Sequence, residues 1–316
     1  MIFFNSAIIA GITLFSVSVH AQQGSDVALP EAKTALATKF EFLSPEVEAS
    51  LAAKARGEPI LAKDWMVAVA NPHAAVAGAR VLKEGGTAAD AMVAVQAVLG
   101  LVEPQSSGIG GGAFLVWFDA TTGKLTTLDG RETAPMAATP GLFQDANGER
   151  MKFWDAVVGG RSVGVPGTPA LMEAAHKRWG QKAWNNLFLE AIDLAESGFA
   201  VSPRLAALIA GDADRLRQFS DTEAYFFQDG EPLVEGTWLT NAEYADVMHR
   251  MANEGARVIY SGEIAKAIVN TVRGAEKNPG VISLTDLSTY TVKERPAVCA
   301  SFRGHQVCGM GPPSSG

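Results

Sequence analysis

From Trp65 onward, apolar positions recur with helical and strand periods that predict a mixed α+β fold. A helix is predicted to open at Asn71-Pro72 and to end at a glycine pair, because one of its faces carries Ala74, Ala77, Val81 and Leu82. Thr87 and Asp90 have the spacing of a capping box, and the segment that follows, residues 88–101, is apolar all round. A helix of that composition must be buried, so we expect it in the core.

Short strands and further helices complete the predicted pattern. Residues 66–70 read as a short buried strand, and residues 113–118 and 124–128 read as a hairpin whose loop ends in Gly123. Helices, each followed by a glycine, are predicted over residues 45–56, 169–179, 184–197, 241–254 and 263–273. Because no repeat or low-complexity linker interrupts the pattern, residues 65–316 should form one continuous unit after a lead segment over residues 22–64.

The composition excludes two classes of protein. The 316 residues include 26 basic and 34 acidic side chains, for a formal charge of −8, and nucleic-acid binders instead need a basic face. With 47% hydrophobic and 19% charged residues, the chain can bury a core and is not a disordered polymer. We therefore expect a globular protein with no nucleic-acid partner.

The first residues have the pattern of an export signal. Residues 7–19 form a short apolar run, followed by Val19-His20-Ala21, so residues 1–21 are predicted to be a signal peptide cleaved after Ala21. This places the mature protein in the periplasm or outside the cell. Residues 1–6 contain no Lys or Arg, which leaves an uncleaved N-terminal anchor as the alternative.

Two cysteines lie on either side of a predicted turn. Counting outward from Arg303-Gly304 pairs Cys299 with Cys308 at a non-hydrogen-bonded position, where the backbones are close enough for a disulfide. An oxidising compartment would favour that bond. Two alternatives are a pair of buried free thiols and a metal site in which His305 joins the cysteines and a fourth ligand comes from elsewhere.

Two classes of conventional site are disfavoured. The glycine-rich residues 108–113 fit the spacing of a dinucleotide-binding loop, but a predicted helix precedes them and a strand follows, which reverses the required order. We therefore interpret these glycines as sites of positive φ or of close packing. The histidines form no motif with Ser or Cys, and His73, His176 and His249 read as structural or exposed residues on helices.

Several motifs in order along the chain change this picture. Together they resemble the γ-glutamyltranspeptidase family over residues 65–316. The motifs are GGTAADA (85–91), EPQSSGIGGG (103–112), LDGRETAP (128–135), VGVPGTP (163–169), ESGFAVSPRL (196–205), YSGEIA (260–265) and PPSSG (312–316). A single motif would be weak, whereas seven in family order make chance similarity improbable.

The resemblance implies an N-terminal-nucleophile hydrolase with an αββα sandwich, made as a precursor that cleaves itself into a large and a small subunit. It implies that the new N-terminal Thr attacks glutathione or another γ-glutamyl donor and passes the γ-glutamyl group to water, an amino acid or a peptide. The freed α-amino group can serve as the base, so neither a catalytic His nor a cofactor is implied. Nothing in the chain resembles the processing junction, so we read it as a truncated large subunit without the Thr, and expect it to be inactive and poorly soluble without the small subunit.

Arg131 is the residue that the resemblance assigns to the substrate. It matches the arginine of the LDGRETAP motif, which in the family holds the α-carboxylate of the glutamyl group, and its planar fork suits a bidentate contact. The structural alternative is an ion pair of Arg131 with Asp129 or Glu132. Two other functions stay open: an acylase of the same fold acting on glutaryl or β-lactam side chains, and an exported binding protein that has lost catalysis.

Overall fold

The computed structural model describes residues 44–314. The predicted signal peptide and most of the lead segment lie outside these residues. Two 3₁₀ turns, Gly160–Ser162 and Trp184–Phe188, accompany the α-helices. The helices are α1 (Pro45–Ala55), α2 (Pro72–Lys83), α3 (Ala88–Val102), α4 (Phe153–Val157), α5 (Thr168–Trp179), α6 (Leu189–Ser197), α7 (Pro203–Gly211), α8 (Ala213–Leu216), α9 (Ser220–Phe226), α10 (Ala242–Glu254), α11 (Arg257–Tyr260), α12 (Gly262–Gly274) and α13 (Leu284–Ser288).

The strands are short, and one sheet has three of them. The sheet has the order β1-β2-β7 and is antiparallel throughout, whereas β3-β6, β4-β5 and β8-β9 are two-stranded ribbons. The strands are β1 (Ala113–Asp119), β2 (Lys124–Gly130), β3 (Phe199–Ala200), β4 (Phe227–Gln228), β5 (Glu231–Pro232), β6 (Trp238–Leu239), β7 (Lys293–Arg295), β8 (Val298–Phe302) and β9 (His305–Gly309). The predicted α+β class is thus confirmed.

Helix α3 lies in the main core, as its apolar composition predicts. The Thr87 hydroxyl accepts the Asp90 N–H, and the Asp90 carboxylate accepts the Thr87 N–H, so the predicted capping box is confirmed. Around α3 pack α2, the 3₁₀ turn at 184–188, α5, α6 and α10. Helix α5 also covers β2, where Leu128 is fully buried against Leu171 and Ala175. This contact joins the helical core to the sheet.

The prediction of a buried strand at residues 66–70 is wrong. The segment has no regular secondary structure; Val67 and Val69 are half-buried against the core, while Met66 is 52% exposed. A strand requires a neighbour to bind its backbone, and no described strand lies beside this segment. The apolar run therefore indicates contact with the core, but it does not indicate pairing with another strand.

The helix predicted between Asn71-Pro72 and the glycine pair is confirmed to within a few residues, as are those predicted over residues 45–56, 88–101, 169–179, 241–254 and 263–273. The predicted helix at 184–197 is divided into a 3₁₀ turn and α6. Helix α7 was not predicted, although Ser202 caps it by accepting the Leu205 N–H and Pro203 occupies its first turn. No described helix is long and apolar enough to cross a membrane.

The hairpin β8-β9 has the predicted register. Phe302 lies opposite His305, and Cys299 lies opposite Cys308. The two-residue turn places Arg303 at φ 48° and Gly304 at φ 81°, the left-handed conformations that a type I′ turn requires. Cys299 and Cys308 are joined by a disulfide with their Cα atoms 4.1 Å apart, so the structure holds neither the free thiols nor the metal site that were the alternatives.

Candidate active site

Arg131 lies immediately beyond β2, at the end of the strand buried under α5. Its side chain is 51% exposed, and its Nε lies 3.2 Å from Oε2 of Glu132. One of the two predicted structural ion pairs is therefore present. The other is not, because Asp129 pairs with Arg295, at 2.6 Å, and uses its second oxygen to accept the Arg131 N–H at 2.9 Å.

The main chain of Arg131 is held from both sides. Besides the bond to Asp129, its carbonyl oxygen accepts the hydroxyl of Tyr290 at 2.8 Å. Tyr290 follows α13, far along the chain from the LDGRETAP motif. The half-exposed guanidinium thus extends from a backbone that is hydrogen-bonded at both its N–H and its C=O.

The glycine-rich loop packs against the same segment. A Cβ at Gly112 would stand 2.5 Å from Oε2 of Glu132 and 2.7 Å from its backbone nitrogen, so only glycine permits this approach. The carbonyl oxygen of Gly111 accepts the N–H groups of Gly167 and Thr168 at 2.9 and 3.1 Å. Close packing therefore accounts for the glycine at position 112, and three of the sequence motifs meet at this point.

The residues after Arg131 are anchored in turn. Thr133 bridges Val165, whose N–H donates to the Thr133 carbonyl at 2.9 Å. The Met136 N–H donates to Oδ1 of Asp286 at 2.8 Å. Burial by itself would raise the pKa of Asp286, but the hydrogen bonds from Met136 and Ser283 outweigh it and hold the pKa below its usual value.

The carboxylate of Glu103, which was not predicted to have a role, is buried just before the glycine-rich loop. Glu103 is 1% exposed and accepts hydrogen bonds from Asn71 Nδ2 at 3.0 Å, Gln105 Nε2 at 2.5 Å and Arg204 Nη1 at 2.6 Å. Arg204 also donates to the hydroxyl of Ser106 at 3.2 Å. Glu103 and Arg204 each lie in one of the family motifs. The sequence shows that both residues are present, but it does not show that Glu103 is buried.

His73, His176 and His249 lie on helices, as predicted. His176 Nε2 lies 2.9 Å from the Lys182 carbonyl oxygen, and the exposed His249 lies 2.9 Å from Glu196. Burial lowers the pKa of His73, which favours its neutral form. Within residues 44–314, no group of three or more His, Cys, Asp or Glu side chains is placed to hold a metal ion.

The arrangement is suited to binding a carboxylate. Arg131 presents a guanidinium to solvent from a fixed backbone, and its ionic partner is the adjacent, partly exposed Glu132. A guanidinium binds a carboxylate through two parallel N–H bonds, a geometry that an ammonium group cannot reproduce.

Comparison with known proteins places these motifs in one family. A family model for gamma-glutamyltranspeptidase matches residues 74–316. The glutathione hydrolase proenzyme of Bacillus subtilis strain 168 is 38% identical over 254 residues, which are 80% of this chain and 43% of that protein. The chain thus spans less than half the length of this curated relative.

Solved structures show the same likeness. The Helicobacter pylori gamma-glutamyltranspeptidase matches with a TM-score of 0.77 and 36% identity, over 81% of this chain and 73% of that one. A cephalosporin acylase from Bacillus halodurans matches with a TM-score of 0.67 and 29% identity, over 80% of this chain and 48% of that one. These neighbours confirm the predicted N-terminal-nucleophile hydrolase fold class.

Proposed function

This chain belongs to the γ-glutamyltranspeptidase family, and from that premise we propose that it is part of an enzyme that transfers γ-glutamyl groups. The donor is glutathione or a related γ-glutamyl compound, and the acceptor is water, an amino acid or a peptide. The observation that carries the proposal is the half-exposed guanidinium of Arg131, held on an anchored backbone beside the glycine-rich loop.

In this proposal Arg131 binds the α-carboxylate of the glutamyl group and orients its γ-carbonyl for attack. A Thr hydroxyl adds to that carbonyl, the donor amine leaves with a proton, and the resulting γ-glutamyl ester is cleaved by water or by the acceptor amine. We place the Thr and the oxyanion donors in a small subunit outside residues 1–316, since no motif of this chain resembles the processing junction. The 316-residue chain by itself is then inactive.

The first test is Arg131→Lys in the product of the complete gene. We expect the KM for a γ-glutamyl anilide to rise by about tenfold or more. One charge-assisted contact contributes about 1.5–3 kcal/mol, and the ammonium group of lysine cannot form the two parallel hydrogen bonds of a guanidinium. Steady-state hydrolysis kinetics measure this. Arg257→Lys is the matched control, because Arg257 is also an exposed arginine, paired with Glu254 at 2.7 Å. An unchanged KM in Arg131→Lys would remove Arg131 from the substrate site.

A glutaryl or β-lactam acylase is the second candidate, favoured by the likeness to the cephalosporin acylase. A glutaryl anilide keeps the carboxylate of the γ-glutamyl group but lacks its α-amino group, so it distinguishes the two functions in the same assay. Faster turnover of the glutaryl anilide than of the γ-glutamyl anilide would establish the acylase. No turnover of either substrate by the complete gene product would favour a non-catalytic binding protein.

We also propose that the protein is exported to the periplasm or the medium through residues 1–21. The support is the apolar run of residues 7–19 followed by Val19-His20-Ala21. N-terminal sequencing of the exported protein should begin at Gln22. A protein that retains Met1 in the membrane fraction would instead establish the uncleaved anchor.

A further inference from the structure

The hydroxyl of Tyr290 contacts the backbone of Arg131, and the proposed function assigns Tyr290 no role of its own. This hydroxyl donates to the carbonyl oxygen of Arg131 at 2.8 Å, across 159 residues of sequence. That carbonyl belongs to the peptide group between Arg131 and Glu132. The contact therefore fixes the peptide plane from which both members of the Arg131–Glu132 ion pair extend.

The ring of Tyr290 is itself held firmly. It stacks on the ring of Tyr260, with centroids 5.7 Å apart and planes 8° from parallel. Tyr260 is fixed in turn, because its hydroxyl accepts the Ala170 N–H at 3.1 Å and donates to the Pro166 carbonyl at 3.0 Å. The stack thus ties the Arg131 carbonyl to the first turn of α5.

The Tyr290 hydroxyl also remains a donor at physiological pH. Burial, with smaller contributions from the charges of Asp129 and Glu132, raises the pKa of Tyr290 to about 12. At neutral pH the hydroxyl is protonated, so its proton is available to the Arg131 carbonyl. Burial, assisted by the two nearby carboxylates, therefore keeps the Tyr290 hydroxyl protonated and able to donate this hydrogen bond.

The side chain of Arg131 has much weaker support than its backbone. It is 51% exposed, and its salt bridge runs to the neighbouring residue Glu132, which moves with it. An exposed ion pair of this kind contributes little to holding a side chain in one direction. The direction of the guanidinium is therefore set mainly by the backbone anchors, Asp129 at the N–H and Tyr290 at the C=O.

We propose that Tyr290 is a positioning residue that orients Arg131 for the α-carboxylate of the γ-glutamyl donor. The inference rests on the proposed function and adds a determinant of selectivity to it. Tyr290 acts through Arg131 and not on the substrate directly. Its loss should therefore impair substrates that carry an α-carboxylate and spare those that lack one.

The test is Tyr290→Phe in the product of the complete gene, which keeps the stacked ring and removes the hydroxyl. We expect the KM for a γ-glutamyl anilide to rise about three- to tenfold, while kcat stays within about twofold of the wild-type value. A contact that stabilises the bound substrate and the transition state equally affects KM but not kcat. The matched control is Tyr244→Phe. Tyr244 also donates its hydroxyl to a backbone carbonyl, that of Ala97 at 2.7 Å, but joins α10 to α3 in the core.

Two further readouts separate positioning from general structural damage. With a 4-aminobutyryl anilide, which is the γ-glutamyl anilide without its α-carboxylate, Tyr290→Phe should leave kcat/KM within about twofold. An equal loss on both substrates would overturn the inference. In the double variant with Arg131→Lys, the KM should match that of Arg131→Lys alone, since two residues acting through one contact are not additive. Additive effects would also overturn it.

The two proposals can fail separately. An active wild-type enzyme whose Tyr290→Phe variant keeps its KM removes the role of Tyr290 and leaves the proposed function intact. A wild-type enzyme without γ-glutamyl activity removes both. Should Tyr290→Phe not accumulate, Arg295→Lys weakens the other backbone anchor by replacing the contact to Asp129, and the same selective rise in KM is expected.

Discussion

Asp286 shows what a single side chain contributes near the site. Its carboxylate accepts the N–H and hydroxyl of Ser283, at 2.8 and 2.6 Å, and the Met136 N–H at 2.8 Å, so it caps α13 and anchors the LDGRETAP segment together. These bonds favour the ionised form and lower the pKa of Asp286 in the folded state. A carboxyl whose pKa is lower in the folded state stabilises the protein above its unfolded pKa, about 3.9, and loses that contribution as the pH falls through the folded value.

Asp286→Asn is therefore expected to lower the free energy of unfolding by about 1–3 kcal/mol at neutral pH, because the amide nitrogen of Asn cannot accept the Ser283 N–H. The difference from wild type should shrink as the pH falls below about 4. Denaturant unfolding at several pH values measures it. Asp214→Asn, at an exposed position of α8, should change the free energy by under about 0.5 kcal/mol. If the difference in unfolding free energy between Asp286→Asn and the wild type does not vary with pH, this account is contradicted.

At the scale of elements, the site is a junction at which backbones approach without side chains between them. Gly167, just before α5, donates to Gly111 at 2.9 Å. A Cβ at Gly167 would stand 1.9 Å from the carbonyl oxygen of Gly130 at the end of β2 and 2.3 Å from the Tyr290 hydroxyl. Helix α5, strand β2 and the glycine-rich loop can therefore meet only if this residue is glycine.

Gly167→Ala should destabilise the protein by about 3 kcal/mol or more, since a Cβ so close to a backbone oxygen forces whole elements apart. Thermal unfolding of the two proteins measures the change. Gly211→Ala is the control, because the added Cβ meets nothing within 4 Å in α7 and alanine favours a helix. If both variants unfold at the wild-type temperature, the close approach at Gly167 is not needed for the fold.

At the scale of the whole molecule, the described chain leaves apolar surface uncovered. Strand β1 pairs with β2 on one side only among the described strands, and its Val116 and Phe118 are 46% and 62% exposed. Trp65 and Met66, at the start of the segment mispredicted as a strand, are 41% and 52% exposed. An open strand edge with exposed apolar side chains is a site for further pairing.

The purified 316-residue chain is therefore expected to self-associate, and Phe118→Thr should shift it toward monomer by making the edge strand polar. Light scattering coupled to gel filtration, over a range of concentrations, measures the mass. Val234→Thr removes a side chain that is 68% exposed in a loop, and it should change the mass distribution little. A monodisperse wild-type monomer at every concentration would show that the open edge of β1 does not cause self-association.

The sequence by itself determined most of the elements and the motifs of the site. Helical periodicity and caps located α2, α3, α5 and α10, and turn chemistry at Arg303-Gly304 determined the register of β8-β9. These features depend on residues close together in the chain, whose spacing can be read directly. Arg131 was likewise identified from its motif, and its role in binding a substrate is still a prediction.

Only the tertiary structure decided how the motifs meet. Tyr290 reaches the Arg131 carbonyl, Asp286 reaches Met136, and Glu103 is buried beneath Arg204, although more than 100 residues separate each pair. The same reason explains the failure at residues 66–70, where an apolar run predicts burial but only a neighbouring strand could make it a strand. Hydrogen bonds between distant segments depend on chain topology, which local periodicity does not encode.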